Sequence, residues 1–173
     1  QENLLDVAKE IATSMGVADD IDWTFETVKV NEPFYGVYYG QAALPLKSET
    51  MYYLTNDVLD GATTYNEETG TTKDIYDMEK LTSKDPYEMY LSGATPLITI
   101  NNPNATTKKE LVLFRDSFGS SMIPLLLQDY AKVTVVDTRY LAADLLADYI
   151  DFTGQDVLFL YSTLIINSST TLK

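Results

Sequence analysis

The chain contains no histidine and no cysteine. The first absence removes the commonest general base and the commonest zinc ligand. The second excludes disulfides, thiolate metal sites and cysteine nucleophiles. Positive charge is also scarce: 12 Lys and Arg stand against 26 Asp and Glu, a formal net charge of −14. A surface of that sign is repelled by phosphate backbones and anionic lipid, so no nucleic-acid partner is expected. No apolar run approaches the roughly 18 residues of a membrane-spanning helix, and no span is expected. Glycine-rich phosphate loops and dinucleotide fingerprints are missing. The acidic trio Asp19, Asp20 and Asp22 lacks the spacing and glycine of a calcium loop. Neither a metal site nor a cofactor is therefore expected.

What remains suits a folded domain. With 173 residues and 45% hydrophobic content, the chain is long and apolar enough to bury a core, and residues 1–173 read as a single domain. Leu4, Leu5, Ala8, Ile11, Ala12 and Met15 recur at helical spacing, and Gly16 supplies a stop. Residues 23–76 read instead as a β-rich insertion. Thr24 to Val30 alternates with period two, and short Tyr- and Thr-rich runs follow, separated by turn residues. The thirteen tyrosines lie mostly in this part. Half-buried strand positions explain them, and a sugar-binding face is the alternative.

A strand-helix rhythm then sets in. Strands are expected at 96–100, 111–115, 133–136 and 157–161, with helices at about 119–130 and 140–150. Short connections in that order imply right-handed crossovers. The expected fold is α/β: a parallel sheet with flanking helices, a three-layer flavodoxin-like arrangement carrying the antiparallel insertion. Sites in such sheets gather beyond the carboxyl ends of strands.

At one such end stands Asp116-Ser117-Phe118-Gly119. A serine at a strand-to-helix turn has two readings. It can cap the helix, or it can be a nucleophile beside amides that hold an oxyanion. Asp116 can cap, support the serine or pair with Arg115. Arg139 can bind an anion near the site or pair with Asp137 or Asp116. Asn167 can direct an amide into the cleft, or belong to an ordinary terminal loop.

Phe34-Tyr-Gly36, Tyr76-Asp-Met-Glu-Lys-Leu81, Leu111 to Gly119 and Thr134-Val-Val-Asp-Thr-Arg-Tyr140 occur in an order that resembles the DHHW family. That family is related to the alginate O-acetyltransferases within the SGNH hydrolase-like proteins. The resemblance covers most of residues 1–165. It implies an SGNH-like domain and a nucleophilic role for Ser117, with Asp116, Phe118, Gly119, Arg139 and Asn167 as oxyanion or site support. It also implies an Asp and a His from an upstream DxHW-type motif. In the family that motif precedes a helix ending in Leu-Gly or Met-Gly. Here the helix ends in Met15-Gly16, which places the expected motif just before Gln1. Gln1 itself reads as the edge of a trimmed or processed chain. The implied partners are a surface polysaccharide and an acyl donor, and the implied location is the cell envelope. The implied activity is acyl transfer or ester hydrolysis, with this chain alone nearly inert. A non-catalytic carbohydrate-binding or assembly module is the other reading.

Overall fold

The computed structural model describes residues 1–36, 39, 45–168, 170 and 172. Part of the expected insertion (37, 38 and 40–44) therefore lies outside the described residues. Eight strands among the described residues form two sheets. β1 (Glu26–Phe34) and β2 (Glu49–Thr55) pair as an antiparallel ribbon. The larger sheet contains β3 (Thr63–Asn66), β4 (Thr71–Asp74), β5 (Leu97–Asn101), β6 (Lys109–Arg115), β7 (Tyr130–Val136) and β8 (Asp156–Leu160). Their spatial order is β4-β3-β5-β7-β6-β8.

This architecture corrects the expected parallel α/β sheet. Only β7, β6 and β8 run parallel to one another, while β5, β3 and β4 add antiparallel pairings. A parallel neighbour needs a crossover of a dozen or more residues. The link 102–108 between β5 and β6 is too short for one, and β5 pairs antiparallel with β7 instead. Nor is the antiparallel part wholly set aside as an insertion, because the β3–β4 hairpin extends the main sheet through β3–β5. Its turn follows from local chemistry: Asn66 Oδ1 accepts from the amides of Glu68 and Thr69, and Gly70 takes the left-handed φ of 67°.

The flanking helices are also fewer than the spacing predicts. The α-helices with described bounds are α1 (Leu5–Ser14) and the five-residue α2 (Thr163–Asn167). The stretches expected as helices after β6 and β7 fold as 3-10 segments, Ser117–Ser121, Ile123–Asp129 and Ala143–Asp148. Every residue from Ile123 to Asp129 is buried. A run apolar on all sides has no one-sided stripe from which the helix type can be read. Pro124 adds a missing donor in the first turn of its segment.

The large sheet buries both faces of β6. Leu111 and Leu113 point into the main core with α1, β2 and the 123–127 segment. Val112 and Phe114 point into a smaller core with Leu97, Val136, Leu146 and Ile150. Arg115, next in the alternation after Leu113, is drawn to the main-core side and is fully buried. β8 closes one edge of the sheet, and its Phe159 stacks on Phe114 at 4.6 Å with the rings 9° from parallel.

Candidate active site

Ser117 is the second residue beyond β6, at the carboxyl edge shared by the three parallel strands. It is half-exposed. The capping role falls to its neighbour: Asp116 Oδ1 accepts from Phe118 N at 2.9 Å. Asp116 Oδ2 accepts from Ser162 N at 2.8 Å, so one buried carboxylate ties the end of β6 to the start of α2. The Ser117 hydroxyl makes no hydrogen bond among the described residues. Two amides expected as oxyanion donors are engaged within the turn. Phe118 N meets the Asp116 side chain, and Gly119 N meets the Asp116 carbonyl at 3.0 Å.

Beneath the serine turn lies Arg115, a charged side chain with no exposed surface. Its Nη2 donates to the Gly93 carbonyl at 3.2 Å, and its Nη1 lies 3.7 Å from Asp137 Oδ2. Nε and Nη1 make no hydrogen bond among the described residues. Burial pushes the guanidinium below its ordinary pKa, with Asp137 acting in the opposite direction. The carbonyl that receives Arg115 sits in a strained turn, where Leu91 and Ser92 hold positive φ of 57° and 59°. Leu91 N bonded to Ile75 O and Ser92 Oγ bonded to Asp77 hold it there.

Asp137, also fully buried, accepts its main hydrogen bonds from Arg139. Arg139 Nε and Nη2 approach its two oxygens at 2.8 and 2.6 Å, a bidentate pair that raises the Arg139 pKa. Arg139 also lies over the Tyr140 ring at 5.2 Å. The structure thus places Arg139 in a pair with Asp137. Asn167 is exposed at the far end of α2, and its side chain makes no hydrogen bond among the described residues. Ser117, Asp116, Phe118 and Gly119 form one turn, and Arg139 and Asp137 lie at the end of the adjacent strand β7. Among the described residues no group of three or more His, Cys, Asp or Glu is placed to hold a metal ion, and no helix is long and apolar enough to cross a membrane.

Gly119 is required by close approach rather than by backbone angle. A Cβ there would lie 3.0 Å from Arg115 Cβ and 3.6 Å from Leu160 Cδ2. Gly119→Ala is expected to cost about 1–3 kcal/mol through overpacking, seen as a lower urea midpoint with an unchanged slope.

Two participants were not among the expected site residues. Tyr87 donates to the Phe118 carbonyl at 3.1 Å and shares a 2.8 Å hydrogen bond with Ser121 Oγ. Burial raises its phenol pKa. Ser162 reaches Asp116 through its backbone amide, which no side-chain pattern can announce.

Comparison with known proteins identifies the family and the fold. The DHHW protein family model covers residues 20–136, more than half of the chain and inclusive of Asp116 and Ser117. The chain belongs to the DHHW family. Its fold is similar to that of a DHHW family protein from Eubacterium siraeum DSM 15702, with a TM-score of 0.67 and 21% identity over 93% of this chain and 55% of that one. Bacillus cereus PatB1 with a sulfonyl adduct is similar at TM-score 0.65 and 21% identity, covering 98% of this chain and 59% of that one. PatB1 in a second structure gives 0.62 at 21% identity, over 98% and 61%. The chain therefore spans little more than half the length of these structures. No curated protein sequence matches it.

Proposed function

We propose that the chain carries the nucleophile of an acyl-transfer site, with Ser117 as the attacking group. The single observation behind this reading is the division of labour at the turn. Asp116 performs the capping, and Ser117 is left half-exposed at the rim of three parallel strands with its hydroxyl unbonded among the described residues. In the reading, a base takes the Ser117 proton while Oγ attacks an ester carbonyl carbon. The carbonyl C–O bond to the donor alcohol breaks, and the alcohol leaves with a proton. A sugar hydroxyl or water then attacks the acyl-serine and restores the hydroxyl.

No imidazole exists in these 173 residues. The reading assigns the base to residues outside them, in keeping with a chain that spans little more than half of its structural neighbours. Loss of a base from such a unit costs orders of magnitude in rate. This chain alone is expected to leave small acetyl esters essentially untouched. Polysaccharide as acceptor and a cell-envelope location rest on the family resemblance and belong to the same proposal.

The test is covalent labelling. A fluorophosphonate should modify Ser117 in the protein extended upstream through an Asp-x-His-Trp sequence, label this chain far more slowly, and fail on Ser117→Ala in both. Equal labelling of the serine variant would remove Ser117 from the mechanism. Fast ester hydrolysis by the chain alone, lost in Ser117→Ala, would show that the base lies within it.

A further inference from the structure

A cleft of about 330 Å³ opens between β2 and the serine turn. Its walls include four aromatic rings, Phe34, Tyr52, Tyr87 and Tyr90. Tyr87 and Tyr90 meet edge to face at 5.1 Å, and the Tyr90 hydroxyl donates to the Tyr52 carbonyl at 2.6 Å. Tyr90 packs on Tyr76 in turn, at 6.0 Å. These contacts hold the Tyr87 and Tyr90 rings before any ligand arrives, which lowers the entropic cost of binding.

The polar part of the lining is partly committed. The Gln1 carboxamide is taken, Nε2 donating to the Ser121 carbonyl at 2.8 Å and Oε1 accepting from Leu54 N at 2.6 Å. The side chains of Asn3, Glu49 and Thr50 also line the cleft, and they make no hydrogen bond among the described residues. Aromatic walls with an amide, a carboxylate and a hydroxyl left over form a surface for a ligand with C–H faces and many hydroxyls. Among the described residues the cleft lining has neither lysine nor arginine, and the protein carries a net charge of −14. Phosphorylated or acidic ligands are therefore repelled. A quaternary ammonium would need ring faces on several sides. Tyr90, 2% exposed, backs the wall rather than presenting a face.

The geometry points to this cleft as a binding site for a neutral glycan, with Tyr87 as the positioning residue that joins it to the serine turn. Tyr87 is the one ring of the four whose hydroxyl meets both the Phe118 carbonyl and Ser121 Oγ. A ligand packed on that ring acts on the backbone beside Ser117. The link to acyl transfer rests on the function proposed above and locates its acceptor, whereas binding itself needs no competent nucleophile.

The experiment is a titration of the ¹⁵N-labelled chain, with Ser117 and as Ser117→Ala, using cellotetraose, chitotetraose, glucuronate and choline as probes. Saturable shifts with a neutral tetrasaccharide, confined to the cleft lining and the 117–121 turn, are expected in both proteins. Glu49→Gln and Tyr52→Ala, at exposed and half-exposed positions, should each weaken binding about tenfold while leaving distant amide signals in place. Tyr87→Phe keeps the ring and should bind within about twofold, but ligand-induced shifts at Phe118 and Gly119 should collapse. The absence of saturable shifts with either tetrasaccharide overturns the assignment, as does binding indifferent to both lining variants. Binding of choline alone replaces it with a cation site. Serine labelling that fails while sugar binding persists refutes the catalytic proposal and leaves the cleft standing; the reverse result refutes only the cleft.

Discussion

Asp137→Ala is expected to destabilise the protein by about 3–5 kcal/mol, the cost of leaving a buried charge without its partner. That corresponds to a fall in Tm of about 6–20 °C for a domain of this size. Asp137 serves two arginines. It holds Arg139 in a bidentate pair and provides the nearest negative charge to fully buried Arg115, at 3.7 Å. Its removal strands the guanidinium beneath the serine turn with a single hydrogen bond, to Gly93. Arg115→Met is the informative contrast. It removes the same ion pair from the other side, yet Asp137 keeps both bonds from Arg139. A flexible apolar side chain also fills much of the vacated volume. Calorimetric melts should therefore rank Arg115→Met well above Asp137→Ala. Equal losses would mean that the Arg115–Asp137 contact, rather than Asp137's double duty, carries the stability.

Asp116→Ala should have the second-largest effect, about 2–4 kcal/mol, because charge-assisted bonds to two backbone amides vanish at a buried position. The amides concerned are Phe118 N, in the serine turn, and Ser162 N, at the start of α2. Asp116→Asn retains an oxygen acceptor suited to capping and should cost less than half as much. In the upstream-extended protein, fluorophosphonate labelling of Ser117 should fall with the alanine variant and largely survive with asparagine. A stability loss with the turn's amide signals unchanged would separate Asp116 from the placement of the serine.

Parts of this site were legible in the sequence because they depend on near neighbours. The apolar run Leu111 to Phe114 followed by Asp-Ser-Phe-Gly marks a strand end and a turn, and the structure has both. Asp137 and Arg139, two residues apart, could be read as a pair, and they are one. Other parts were hidden for physical reasons. A charged residue such as Arg115 reads as exposed until its strand is known to be covered on both faces. Tyr87 reaches the serine turn across 31 positions of sequence, through a fold that no local pattern encodes. The expected helices failed where burial on every side erased the amphipathic signal, in Ile123–Asp129.

Alone, then, the sequence determined that strands lie near β5, β6, β7 and β8, though not their ends, where Ser117 falls relative to β6, and that no histidine or cysteine can act within these residues. The motif order pointed to the DHHW family, and the family match agrees. Tertiary structure decided the direction of β5, the joining of the β3–β4 hairpin to the main sheet, the burial of Arg115 and the tyrosine-walled cleft. The reason is one of range. Alternation and turn chemistry are set over a few residues by backbone sterics and side-chain hydrogen bonds. Strand direction and cleft walls depend on which distant segments pair and how long the connections between them are, and only the folded chain resolves that competition.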